Sequence, residues 1–181
     1  GRFYEFEDFG MIGAIAHLIE AGLVRVFTPD SIDHESWDNH WIAPEDRAAR
    51  HNQYDLFIVD ELVPAIRTMT GWQEGFIAHG SSMGAFHTLN FYLRHPDVFD
   101  AGIALSGIYD GRFFVGEHFG FNVYVNSPVD YLRDLNDAHY LDRADASAQE
   151  VLICIQTGKN LDDENRMRME SDQFFLKSAD E

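Results

Sequence analysis

Apolar positions along the chain switch between a helical and an extended rhythm, with turn residues between the segments. Residues 1–6 read as a loop. Phe9, Ile12, Ala16 and Ile19 then recur at helical spacing and predict a helix over residues 8–21, with Gly22 placed to end it. Residues 23–28, rich in Leu, Val and Phe, predict a short strand closed by Pro29-Asp30. No period is sustained over residues 31–53, which hold His34, His40 and His51 and read as a loop crossing the edge of the sheet. Val59, Leu62, Val63 and Ile66 form a stripe that predicts a helix over 54–69, kinked by Pro64.

The second half repeats the alternation. Residues 75–79 predict a strand and 85–94 a helix, which must stop at His95-Pro96 because a proline disfavours helical geometry in the residue before it. Residues 101–107 are nearly all apolar, as a strand buried on both faces of a parallel sheet would be. Residues 108–149 are long and irregular, with one short helix expected near 129–135, and read as a lid or binding insert. A last strand over 151–157 and an amphipathic helix over 164–177 follow. Strands alternating with helices imply an α/β protein with a mostly parallel sheet and helices on both faces, and sites beyond the carboxyl ends of the strands. Neither repeat nor linker divides the chain, so residues 1–181 are expected to form one domain.

Composition narrows the picture without supplying chemistry. With 181 residues, 45% hydrophobic and 14% aromatic, the chain can bury a sizeable core. A formal charge of −18 repels polyanions, which argues against nucleic acid and anionic membranes as partners. No apolar run approaches the ~20 residues that span a bilayer, and no signal peptide is visible, so a cytoplasmic address is expected. Cys154 sits inside an apolar run and reads as a core residue. The histidines, cysteine and carboxylates show no metal-ligand spacing, and no phosphate-cradling glycine loop is present, so neither metal nor other cofactor is expected.

One stretch carries chemistry. Gly80-Ser81-Ser82-Met83-Gly84 lies between a predicted strand and a predicted helix, the G-x-S-x-G arrangement that lifts a serine hydroxyl above a sheet on a turn too tight for side chains at the glycines. Ser82 is therefore the candidate nucleophile. The backbone N–H of Met83, opening the helix, is a candidate donor to an oxyanion. His79 and His87 flank this stretch and read as packing residues, while His118 and His139 lie on the insert and read as solvent-exposed. Phe113, Phe114, Phe119, Phe121 and Tyr124 could line an acyl pocket or form the insert's own small core.

These residues, with Gly1 to Gly10, Asp30 to Trp37, Glu61 to Ile66, and Arg94 to Asp100 leading into Ala104-Leu105-Ser106-Gly107, resemble the esterase branch of the α/β-hydrolase superfamily, relatives of S-formylglutathione hydrolase (esterase D type). The resemblance implies a Ser, acid, His triad acting on a small-molecule carboxylic ester or thioester through an acyl-enzyme. It places the nucleophile at Ser82, one oxyanion donor at Met83 and the other at Gly1 or Arg2. The acid follows the last strand, at Asp162, Asp163 or Glu164, with Asp162 first among them. Here Lys159-Asn160-Leu161 departs from the family's pattern. The resemblance puts the histidine beyond Glu181, so the chain is expected to lack its first strand or strands and the closing segment with that histidine. Two alternatives accompany the hydrolase: an acyltransferase of the same fold, and a non-catalytic domain that keeps the turn only as architecture.

Overall fold

The computed structural model describes residues 1–134 and 150–154. Short helices α1 (Glu5–Asp8), α2 (Met11–Ala14) and α3 (Ala16–Glu20) lead to α4 (Pro44–Leu56), a π-helical segment (Phe57–Leu62) and α5 (Val63–Thr70). Then β1 (Phe76–Ser81), α6 (Met83–Arg94) and β2 (Phe99–Leu105) form the centre. The region after β2 carries α7 (Arg112–Val115), α8 (Phe121–Tyr124) and α9 (Pro128–Asp134), and β3 (Glu150–Cys154) completes the described elements. The strands make one parallel sheet in the order β1-β2-β3, with Ser81 opposite Leu105 and Leu105 opposite Cys154. All three strands therefore end on one edge, and the turn after β1 lies on it.

Several expectations are met and several are corrected. The two central strands, the helix between them and the short helix at Pro128–Asp134 form where the pattern places them. Residues 23–28 do not pair as a strand; Leu23 is 74% exposed, and β-propensity without a neighbour to pack on does not build one. The helix expected over 8–21 is three short pieces, broken at Gly10, whose φ of 75° lies in the left-handed region. Its start moves back to Glu5, inside the predicted loop. The supposed loop over 31–53 contains a 3₁₀ turn at Asp33–Glu35 and most of α4, whose first residue Pro44 suits a helix start. Polar residues on α4, among them the buried Arg47, His51 and Asp55, hid its inward face from a hydrophobic-period reading. At Pro64 the helix is interrupted by the preceding π-helical segment, which accommodates the missing N–H.

Packing centres on α6. Ala85, Leu89 and Tyr92 join Ala104, Tyr109 and Val129 in one apolar cluster, while Phe86, on another face, joins Trp37, Ala48, Val115 and Val123 in a second. Asn90 and Thr88 are buried as well, so nearly the whole middle of the helix is enclosed. A third cluster, with Tyr54, Ile58, Val63, Ala78, Val98 and Phe99, joins the end of α4 and the segment after it to the sheet. The buried Arg47 guanidinium donates to the carbonyls of Trp37, at 3.1 Å, and Phe114, at 3.0 Å, fastening the region after β2 to α4. Phe114, packed on Trp37 and Phe86 at 5.4 and 4.9 Å, is thus core, whereas Phe121 is 74% exposed.

Candidate active site

Ser82 stands between β1 and α6 with φ 54° and ψ −117°, a conformation that L-residues rarely adopt. Holding a non-glycine residue there costs about 1–3 kcal/mol, which the surrounding structure must supply. Three features do so. The Ser82 N–H donates to the Leu105 carbonyl at 2.9 Å, joining the turn to the end of β2. The Ser82 carbonyl accepts from Ala85 N–H at 3.0 Å and so starts the helix. Gly80 lets strand and helix approach, since a Cβ there would lie 2.1 Å from the Gly84 carbonyl oxygen. The expectation that both glycines are forced by space holds for Gly80 alone: a Cβ on Gly84 would meet nothing within 4 Å.

The result is an exposed serine beside a helix start. Met83, first residue of α6, has an N–H with no intrahelical acceptor, and none pairs with it among the described residues. Ser82 Oγ likewise has no hydrogen-bond partner among the described residues. Ser106, at the end of β2, shares the positive φ of 54°, so two serines in strained backbone close adjacent strands. The Leu-Ser-Gly sequence was the only signal of the second.

The other expected positions are distributed as follows. Gly1 lies against Ser31 and Asp33: its amino group is 2.8 Å from Ser31 Oγ and 3.1 Å from Asp33 Oδ2, and its carbonyl accepts from Ser31 N–H at 3.1 Å. Arg2 Nε is 3.7 Å from Asp30 Oδ1, and Phe3 N–H donates to the same oxygen at 2.8 Å. Asp162, Asp163, Glu164 and His139 lie outside the described residues, as does the helix expected over 164–177. His118 is 3.2 Å from Glu45 on the surface. His79 lies edge-on to Phe6, ring centres 5.1 Å apart, and burial pushes it below its ordinary value, so it is a neutral packing histidine.

Sequence reasoning did not find the acid–imidazole cluster that joins α6 to the stretch after residue 30. His87, in the second turn of α6, is buried with Nε2 2.8 Å from Asp33 Oδ1. Burial alone would raise Asp33, but the hydrogen bond and electrostatic attraction of His87 and the hydrogen bond from Ser31 hold it well below the carboxylate range. His51 stacks on His87 at 4.7 Å and 22°, and burial, with electrostatic repulsion from the neighbouring imidazole, pushes it well below its ordinary value. His51 is therefore neutral. Among the described residues no group of three or more potential ligands could hold a metal ion.

The fold and site define an α/β protein on a parallel sheet, with a strained, exposed serine at the carboxyl edge of the strands. A family model described as putative esterase matches residues 5–179, and the chain belongs to that family. Short stretches also resemble DNA polymerase III alpha subunits. That of Borreliella burgdorferi is 45% identical over 60 residues, 29% of this chain and 5% of that protein. Those of Mycobacterium tuberculosis and Thermus aquaticus are 50% and 46% identical over 46 residues, each 25% of this chain and 4% of those proteins. The chain thus spans a small fraction of these relatives. No solved structure matches it.

Proposed function

We propose that the protein is a serine hydrolase of carboxylic esters or thioesters, built on the α/β-hydrolase fold, with Ser82 as nucleophile. The observation that carries this reading is the Ser82 backbone, kept at φ 54° by a glycine-tight strand-to-helix turn whose only evident benefit is to present the hydroxyl. Ser82 Oγ would attack the substrate carbonyl carbon, giving its proton to a base as the bond forms. The oxygen then carries negative charge, which the Met83 N–H and an N–H of Gly1 or Arg2 would stabilise. Collapse expels the alcohol or thiol, reprotonated by the same base, and water repeats the sequence on the acyl-enzyme.

Hydrolysis of p-nitrophenyl acyl esters tests the reading. Turnover that disappears in a folded Ser82→Ala variant is expected; turnover equal in the two would overturn it. Deleting the Met83 N–H by Met83→Pro, a substitution tolerated at the first position of a helix, should lower kcat by about 10²–10³-fold while circular dichroism stays unchanged. The acid is proposed at Asp162. In a triad acid the change to asparagine lowers kcat by roughly 10⁴-fold. Unchanged kcat in Asp162→Asn would remove that residue from the site.

A further inference from the structure

We infer that Asp33 is a positioning residue for Ser82, its buried carboxylate tying the nucleophile's helix to the N-terminal loop and so setting the separation of the two sides of the oxyanion site. This rests on the hydrolase reading above. One oxygen of Asp33 is 2.8 Å from His87 Nε2 on α6, the helix whose first N–H is that of Met83. The other accepts from Ser31 Oγ at 2.6 Å. The stretch that carries Asp33 also holds the loop, through Ser31 N–H to the Gly1 carbonyl at 3.1 Å and Phe3 N–H to Asp30 Oδ1 at 2.8 Å. A single run of the chain, residues 30–33, therefore fixes both the helix with the first oxyanion donor and the loop with the candidates for the second. His87 cannot swing away, because buried His51 stacks on its face.

The same helix supplies an internal control. At its far end Arg94 Nη2 and the following His95 Nε2 lie 3.4 and 2.8 Å from Asp55 Oδ2, a second buried acid–base clamp of like chemistry. Each clamp holds α6 in the fold, but only that of Asp33 is joined to the N-terminal loop, through Ser31. A purely structural role would make the two acids equivalent; a positioning role separates them.

The experiment compares Asp33→Ala and Asp55→Ala in the full chain, using p-nitrophenyl ester turnover, thermal melting and inhibition by an alkylboronic acid, which mimics the tetrahedral intermediate on serine. Both variants should melt earlier. Only Asp33→Ala should lower kcat, by about 10²-fold as for a displaced reacting group, with KM unchanged and boronate binding weakened by a similar factor. Asp33→Asn, which keeps an acceptor for His87, should recover part of the loss. Where Asp33→Ala does not fold, Ser31→Ala removes one of the bonds that aim the carboxylate and should lower kcat in the same direction with KM unchanged. Equal kcat in the unchanged chain and the folded Asp33 or Ser31 variants, or equal losses from Asp33 and Asp55, would overturn the inference and leave the hydrolase reading intact. If boronate does not bind and esters are not turned over by the unchanged chain, the hydrolase reading falls and this inference with it.

Discussion

At the scale of single residues the site trades stability for geometry. Ser82→Gly should relieve the backbone at φ 54° and raise the unfolding free energy, by at most about 1–3 kcal/mol less the extra chain entropy of glycine. Activity should vanish in the same variant; urea denaturation and ester turnover measured together check this opposition. Gly80→Ala should do the reverse of stabilising, because its Cβ would stand 2.1 Å from a backbone carbonyl that cannot move without dismantling the turn. A loss of more than about 3 kcal/mol, or failure to fold, is expected. Ser82 and its turn were legible in the sequence because spacing alone encodes them. Asp33 and His87 were not. They stand far apart in the chain, and a histidine on an otherwise apolar helix gives no sign of which acid it will meet.

Among elements, α6 is the one on which most depends, since it faces two apolar clusters and carries two acid clamps. Phe86, fully buried against Trp37 and Phe114, should be the costliest apolar truncation: Phe86→Ala is expected to destabilise by about 3–5 kcal/mol. The emission of buried Trp37, whose ring centre lies 5.7 Å from that of Phe86, should change with it, and urea titration followed by tryptophan fluorescence reads both effects. The elements that the hydrophobic pattern reveals best, β2 and α6, are those buried on several sides. It fails for α4, whose inward face is built from Arg47, His51 and Asp55, and for residues 23–28, which have strand composition but no strand beside them among the described residues. Polar burial and tertiary pairing are properties that a one-dimensional pattern does not carry.

For the whole molecule, charge and protonation govern stability. The folded protein keeps His51 neutral, whereas the unfolded chain protonates it near its ordinary value of 6.5. Below that pH the unfolded state binds the additional proton, so the contribution is fully present above about pH 6.5 and is lost on acidification, at up to about 1.4 kcal/mol per pH unit. The facing groups are His87, Asp33 and Arg94, with the rings of Trp37 and Tyr54. His51→Gln should flatten the fall in unfolding free energy on acidification below pH 6.5; an equal slope in the two proteins would contradict the assignment. The net charge of −18 adds self-repulsion that salt screens, and part of the acid dependence will be relief of that repulsion, which the comparison with the variant cancels. No helix among the described residues is long and apolar enough to cross a membrane. The account as a whole turns on whether the strained serine is reactive, and fluorophosphonate labelling of the full chain followed by peptide mapping measures that most directly. An adduct on Ser82, absent from Ser82→Ala, is the predicted result; a folded protein that takes up no fluorophosphonate, or takes it up at another residue, would contradict the account.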